Sequence, residues 1–305
     1  LGTLRGTASI DNPDTEVDVT HGIGSTPNPG EIQVSPANQD AAESDWWLSD
    51  FGATTFRINV ASTPNTSAKW HWLYVPATEA NPPEYWEEVL EDEPLFYYRL
   101  EETAGPTVED STGSGNDGTV VGADLDVPGK IGSAVSFDGA DDYLEAIAPG
   151  DLTALTIEFW AKIPNGAGGG SGVTHLCGVT DASSSNVVHI AVNSNGTIVI
   201  GERTGSGTLS EVTSANAWDD DQWHHFVATF QAGGAKELWV DGTKDATRSA
   251  QSGTWNLSAT TFMFGAWNNR GNDVIWHAEC YQDEIAVYDK VLPAARIIAH
   301  FNAAG

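Results

Sequence analysis

LTIEFWAKI, residues 155–163, decides how the larger part of the chain is read. It is one of a series. FYYRLEE (96–102), SAVSFDG (133–139), VVHIAVN (187–193), TIVIGE (197–202), WHHFVATF (223–230), KELWVDG (236–242), TFMFGAW (261–267) and DEIAVYD (283–289) repeat its signature at regular intervals. Short runs of β-branched and aromatic residues, separated by Gly, Asn, Asp and Ser, read as strands. That many of them imply a two-layer sandwich. A final helix is signalled by LPAARIIAHFNAA (292–304): Pro293 suits its first turn, and Ile297, Ile298 and Phe301 fall on one stripe. It is expected to seal one end of the sandwich.

Residues 1–78 read as a separate small β module. TTFRINV (54–60) alternates Phe56, Ile58 and Val60 with Arg57 and Asn59, and KWHWLYV (69–75) sets Trp70, Trp72 and Tyr74 against His71, Leu73 and Val75. Period two means strands. EVDVTHG (16–22) and EIQVSPA (31–37) add two more, bounded by GIGSTPNPGE (22–31), too rich in Gly and Pro to continue either. At the seam, PATEANPPEYWEEVLEDEP (76–94), Pro76, Pro82 and Pro83 break strands and Glu84–Glu91 offers a short acidic helix. The expected division is a module at 1–78, a linker with a short helix at 79–93, and a sandwich at 94–305.

Composition limits function. The 305 residues include 32 glycines, 12 tryptophans and one methionine, the profile of a globular β protein with a sizeable core. No run reaches the roughly 18 apolar residues of a membrane span, so no membrane insertion is expected. With 13 basic and 43 acidic residues the net charge is −30, which argues against nucleic acid, since phosphate binding needs a Lys/Arg surface. Such a charge repels itself in a compact chain and is relieved by screening or bound cations. Two environments fit, molar salt around a halophile and a calcium-rich medium; few lysines and evenly spread acids favour the halophile. Cys177 and Cys280 show no C-x-x-C spacing and sit in apolar, strand-like contexts, so two buried free thiols are expected, with a single bridge as the alternative.

The ordered motifs EPLFYYRLEETAGPTVEDSTGSGNDGT, GSAVSFDGADDYLEA, LTIEFWAKI, WHHFVATF, LWVDG and DEIAVYDKVLPAARIIAHFNAA resemble the laminin-G-like, concanavalin-A-like jelly rolls over nearly all of 84–305. Members of that fold do many jobs, so the fold transfers better than the function. The stretch GTASIDNPDTEVDVTHGIGSTP, with ATTFRINV and the closing aromatic strand, resembles a small β module of tailed-virus structural proteins.

DSTGSGNDGTVVG (110–122) admits several readings. A phosphate cradle needs a following helix, and TVVGADLDV is strand-like. An EF-hand needs a glutamate at its twelfth position, where Val121 stands. The resemblance implies a Ca2+ ion where the first loop meets the last strand. Its matching positions are Asp110, Asn116 and Asp283, with carbonyls near Gly113 and Gly115. The alternative is a turn in which Asp110, Ser111 and Asn116 bond their own backbone.

Catalytic patterns are sparse. A retaining glycosidase places two carboxylates about 5–5.5 Å apart, which needs i, i+2 or i+4 spacing on a strand. Glu16/Asp18 lies in the small module, Asp141 of the Asp141/Glu145 pair falls in a turn, and Asp283/Asp289 is out of step. Adjacent His224 and His225 point to opposite faces, one buried and one wet. No H-E-x-x-H or G-x-S-x-G occurs. The chain is expected not to be an enzyme.

Binding chemistry is richer. GAWNNRGNDVIWHAE (265–279) combines flat aromatic faces with polar groups, as sugar sites do, and nominates Trp267, Asn268, Asn269, Arg270, Asn272, Asp273 and Trp276 as one rim. The alternative is a hairpin whose tryptophans cover the core. In SDWWLSDF (44–51), Trp46 and Trp47 point to opposite faces, so one is available for an oligomer or docking contact. These features point to a virion surface protein (fibre, spike or turret) of a tailed virus of a halophilic host. Its expected partners are other virion proteins, its own copies in a trimer or pentamer, and a host surface glycan or glycoprotein. A secreted or cell-surface carbohydrate-binding module of a halophile is the alternative, and a purely structural decoration protein the second.

Overall fold

In the computed structural model the strand Ala154–Lys162 sends Leu155, Ile157, Phe159 and Ala161 into the core, while Thr156, Glu158 and Trp160 between them face the other way. Successive side chains of a strand point to opposite faces, yet both sets are buried. The strand is therefore central within its sheet and covered on both sides. The structure describes residues 5–11, 13–21, 32–42, 45–52, 54–74, 84–147, 150–168, 172–181, 185–205, 207–257, 261–269 and 273–305. The turn at 22–31 and the prolines of the seam lie outside them.

The chain divides into two units, 1–82 and 83–305. In the first, two three-stranded antiparallel sheets face each other. One runs Arg5–Asp11, Ser67–Tyr74, Ile32–Pro36, and the other Glu16–Thr20, Thr55–Val60, Trp46–Ser49. Phe56, Ile58, Trp70 and Trp72 fill the space between them, as the period-two pattern requires. Arg57, on the outer face, lies 2.6 Å from Asp18, 3.2 Å from Glu16 and 3.4 Å from Asp50.

The second unit is an all-β jelly-roll sandwich of two eight-stranded antiparallel sheets. The back sheet runs Asp124–Pro128, Ser133–Asp138, Glu279–Tyr288, Ala154–Lys162, Trp223–Gln231, Ala235–Val240, Thr243–Ser249, and Phe96–Tyr98 pairs with Glu279–Tyr288. The front sheet runs Ser210–Ala217, Thr197–Arg203, Val187–Asn193, Val173–Thr180, Phe262–Phe264, Tyr143–Ala146, Gly118–Val121, Thr107–Val108. Phe96, Phe159, Phe226, Trp255 and Phe264 are among the rings packed between them. Cys177 and Cys280 are both buried free thiols, and burial pushes the Cys280 thiol up to about 12.

Two helices occupy the outer face of the back sheet. Tyr85–Glu91 is expected in a linker, but its Tyr85 and Val89 join Trp160, Tyr97, Val227 and Tyr288 in one apolar cluster, so it belongs to the second unit. The terminal helix Ala294–Ala303 begins after Pro293 and packs into the same cluster through Ile297 and Phe301. It covers a sheet face and not, as expected, an end of the sandwich. Ile298 is exposed and His300 takes the inward position, three residues after Ile297 on the same helical face.

His300 turns inward because Glu158 is there. The Glu158 carboxylate is wholly buried and accepts from the Tyr85 hydroxyl (3.0 Å), the Tyr288 hydroxyl (2.9 Å), His225 Nε2 (2.8 Å) and His300 Nδ1 (3.0 Å). Burial opposes its ionisation, but the charge and hydrogen bonds of His300 and His225 prevail and hold it well below the usual carboxylate range. Burial likewise opposes the His300 imidazolium, and Glu158 and then Asp92 hold its pKa above the ordinary value. Arg296 ties the helices together, 2.7 Å from both Glu88 and Asp92.

Removing one member of a buried charged network leaves the others unpaired, at about 3–5 kcal/mol. Glu158→Ala is expected to lose that much in chemical denaturation. The two pKa shifts have opposite signs. Stability from the lowered Glu158 is lost as pH falls; stability from the raised His300 is complete below about 6.5 and lost as pH rises through its folded value. The advantage of wild type over His300→Gln in a thermal melt is therefore expected to be largest near pH 6 and to shrink toward pH 9. An advantage constant across that window would show that the imidazolium charge contributes nothing.

Candidate functional site

The glycine-rich loop is a turn held by its own aspartate. Asp110 Oδ1 accepts from the backbone N–H of Tyr97 and Thr112, both at 3.1 Å, and Oδ2 accepts from that of Asn116, also at 3.1 Å. Thr112 Oγ1 lies 2.8 Å from both carboxylate oxygens. The Asn116 amide donates to Leu95 O (2.9 Å). Gly113 and Gly115 stand at φ +75 and +76 with open space around them, a conformation only glycine adopts without strain. Asp283 is not drawn into this set: its Oδ2 accepts from Ile131 N–H (2.8 Å), in a different loop. Of the three residues nominated for one Ca2+, Asp110 and Asn116 thus share one turn and Asp283 finds its hydrogen bond elsewhere. Both oxygens of Asp110 and the amide nitrogen of Asn116 are already engaged by hydrogen bonds.

Asp283 by itself does fit a cation. Its side chain is fully buried in the last strand and its Oδ1 has no hydrogen-bond partner. Burial first, then the charge of Glu284, raises its pKa to about 9; Glu284, also buried with an unpartnered Oε1, is raised to about 8, mainly by burial. The guanidinium of Arg99 is 3.9 Å from Glu284 Oε1 and 3.8 Å from Glu101. A hard cation takes six to eight oxygens, and the unpartnered Asp283 Oδ1 would supply the first of them while Oδ2 stays on the Ile131 N–H. Asp138, Asp141 and Asp142 also lie within 4.8 Å of one another; Asp138 and Asp141 are exposed, and the carboxylates of Asp138 and Asp142 accept from the backbone N–H groups of Ala140 and Asp138 in that turn.

The rim residues separate into a buried part and an exposed one. Trp267–Asn269 and Asp273–Ile275 form a hairpin, Trp267 opposite Ile275. The Trp267 ring lies over the outer face of the front sheet at Gly178, where a Cβ would come within 2.6 Å of it. Its centroid is 4.7 Å from that of His175 and 5.6 Å from that of His189. Trp267 and Asn268 are buried, and the Asn268 amide donates to Thr261 Oγ1 at 3.0 Å. These two cover the sheet, as the alternative reading has it. Arg270 and Asn272 lie outside the described residues, and only the backbones of Asn269 and Asp273 are described.

Trp276 is different. It is 54% exposed and stacks on His175 at 5.3 Å and 18°. Its φ is +53, a strained value for a bulky aromatic residue, and its carbonyl accepts the His175 N–H at 2.9 Å. Beneath it His175 Nε2 is 3.2 Å from His189 Nδ1, and His189 Nε2 is 3.3 Å from Glu211. Sequence reasoning missed this support. The available signal was glycine inside two strands, Gly178 and Gly201, which marks close approach of another group; a Cβ at Gly201 would meet the His189 ring. In the first unit, Trp46 packs against the core and Trp47 is 51% exposed on its edge strand.

With this geometry in hand, the comparisons are informative. The Laminin_G_3 family, described as "Concanavalin A-like lectin/glucanases superfamily", matches residues 138–298, more than half of the chain. The chain belongs to that family. No curated protein matches it. Among solved structures, the binding domain of Paraclostridial Mosquitocidal Protein 1 is similar at a TM-score of 0.58 and 17% identity, covering 70% of this chain and 52% of that one. The binding domain of botulinum neurotoxin serotype D gives 0.57 and 12%, covering 70% and 52%. The same toxin's ligand-binding domain in complex with N-acetylneuraminic acid gives 0.55 and 12%, with the same coverage. The chain thus spans about half the length of these domains, and the likeness is one of fold.

Gly178→Ala tests the seating of Trp267. Overpacking of this kind costs about 1–3 kcal/mol, and the expected result is that loss together with a changed near-ultraviolet circular dichroism signal. Unchanged stability would mean that the hairpin does not rest on Gly178.

Proposed function

We propose that the protein is a non-catalytic, lectin-like adhesion protein that holds a host surface glycan or glycoprotein through Trp276. The observation that carries this reading is an indole half open to solvent, fixed in a strained backbone conformation and braced by a stacked histidine. Strain of about 1–3 kcal/mol persists only where surrounding structure imposes it, and it concentrates at ligand sites. A flat, pre-oriented aromatic face is what sugar stacking requires. Toxin binding domains of the same fold support the reading, one of them solved with N-acetylneuraminic acid. The finer assignment is to the surface of a tailed virus of a halophilic host, in a trimer or pentamer in which Trp47 faces a neighbouring copy or another virion protein. It rests on the net charge of −30 and on the exposed Trp47 of the first unit.

A structural divalent cation, Ca2+ by ligand type, is part of the proposal. Asp283 would hold it through Oδ1, with Glu101 and Glu284 as neighbouring charges. It would neutralise the last strand against the 129–133 loop and would take no part in chemistry.

On an immobilised panel of neutral and sialylated glycans at high salt, wild type is expected to capture a subset, and Trp276→Ala to lose capture by at least about tenfold, the scale of a lost aromatic anchor. Equal capture by both proteins would end the Trp276 reading. For the cation, the sign follows from the raised pKa of Asp283. Its contribution is complete below about 3.9 and is lost as pH rises through about 9. Chelated wild type is expected to melt at progressively lower temperature from pH 5 to pH 9. Ca2+ should reverse the part of the loss that belongs to Asp283, since a ligand of the native state raises its stability, and Asp283→Asn should gain nothing from Ca2+ and lose less than wild type between pH 5 and pH 9. A melt indifferent to Ca2+ at pH 9 would remove the ion.

A further inference from the structure

Beneath Trp276 lies a chain of three titratable side chains from three strands of the front sheet: His175, His189 and Glu211. Both histidines are more than nine-tenths buried. Their tautomers follow from the carboxylate at one end. His189 Nε2 lies 3.3 Å from Glu211 outside hydrogen-bond geometry; an ionised glutamate only accepts, so the charge contact favours the tautomer with the His189 proton on Nε2. The charge attraction survives an imperfect angle, and His189 holds the Glu211 carboxyl below its ordinary range. Neutral His189 then has a bare Nδ1, so the proton between the two rings belongs to His175 Nε2. That leaves His175 Nδ1 as a lone pair, and this nitrogen is buried with no partner.

A second proton has nowhere to go without disturbing Trp276. Placed on His175, it makes Nδ1 a buried donor with no acceptor. Placed on His189, it turns Nδ1–H toward His175; His175 must then accept at Nε2 and carry its own proton on Nδ1. Both routes end with an N–H at the same unpartnered nitrogen, under the indoles of Trp267 and Trp276. Burial of a donor without an acceptor is costly. Attraction between a protonated ring and the Trp276 face works against opening, but the cost of burying an uncompensated cation exceeds it. The groups that face this pair in the described structure are Trp267, Trp276 and Glu211, with Lys236 and Arg248 acting on Glu211 from farther off.

We infer that His175 and His189 are positioning residues that hold Trp276 in its binding pose only while the pair carries a single proton on each ring, so that mild acid releases the platform and its ligand. This rests on the adhesion reading of Trp276. Burial first, then the nearby His189, lowers the His175 pKa well below its usual value. A depressed value means that the closed arrangement is favoured above about pH 6.5 and lost as pH falls below it.

Two readouts test the inference on the full chain. Without ligand, the imidazole nitrogens and the Trp276 indole N–H are followed by NMR from pH 8 to pH 5, with assignments from His175→Gln, His189→Gln and Trp276→Phe. The expected result is His175 protonated at Nε2 at pH 8, and a Trp276 signal that shifts together with the His175 pair on acidification. A Trp276 signal that is constant to pH 5, or that shifts equally in His175→Gln, overturns it. With the glycan panel as probe, wild-type capture is expected to fall about tenfold from pH 8 to pH 5, and the ratio in His175→Gln to approach one. If Trp276→Ala abolishes capture while wild type captures equally at both pH values, the gating fails and the adhesion reading stands. If Trp276→Ala captures like wild type, the adhesion reading fails and the NMR titration alone decides whether the histidines govern Trp276.

Discussion

The Glu158 carboxylate sits where water cannot reach it, on the outer face of the central strand of the back sheet. An ionised carboxylate is tolerated there only if its lone pairs are filled. The donors come from four elements: the helix Tyr85–Glu91, the strand Trp223–Gln231, the last strand and the terminal helix. The two ends of the second unit are therefore fastened to its middle by one side chain. Around that point Trp160 stacks on Phe301 at 5.9 Å and receives Lys130 at 4.9 Å. Apolar burial supplies most of the attraction between helices and sheet; the carboxylate specifies where they dock. Neither helix can slide along the sheet without stranding a hydroxyl or an imidazole.

The front sheet meets the same demand differently. Its outer face is covered not by helices but by the hairpin carrying Trp267, which needs Gly178 and Gly201 to leave room for an indole and an imidazole. A cover made of one hairpin is narrower than a cover made of two helices. At its margin Trp276 remains half outside, stacked on a buried histidine. The candidate site thus lies where the covering of the front sheet ends, and its support is the buried part of that covering.

Much of this was legible in the sequence because strand periodicity is local. Phe56, Ile58, Trp70 and Trp72 point inward as alternation requires, and the ordered motifs around LTIEFWAKI carry the family. The unit boundary was near to hand in the prolines. What alternation does not reveal is what lies across a face. Thr156, Glu158 and Trp160 read simply as the other side of a strand, and only the folded chain brings two helices to them. For the same reason Ile298 looked like a core residue and His300 did not. In the glycine-rich loop Asp110 has the right chemistry for a cation, and backbone N–H groups of its own turn and of the strand residue Tyr97 already reach it, which spacing does not reveal. Asp283 was nominated with it, yet the last strand carries a left-handed residue, Glu284 at φ +53, and the register against Ala154–Lys162 shifts there, so Asp283 faces a different loop. A bulge of that kind cannot be read from spacing.

The scarcity of positive charge gives the buried carboxylates their significance. Several of the 13 basic side chains are already engaged: Arg57 and Arg296 with three carboxylates each, Lys236 with Glu202, Lys244 with Glu237, Lys162 with Asp221. The Lys236–Glu202 pair is itself buried and joins the two sheets. Arg99 stands near Glu284, but at 3.9 Å and only through Nε, and nothing cationic of the chain's own bonds to Asp283 Oδ1. Charge there must be neutralised from solvent, by a proton or by a metal ion, and these respond oppositely to pH. A proton leaves as pH rises and takes its stabilisation with it. A cation binds better as the competing proton leaves. In a chain this acidic, the junction between the last strand and the 129–133 loop therefore depends on the composition of the medium, whereas the Glu158 junction on the neighbouring strand is supplied with donors entirely by the protein.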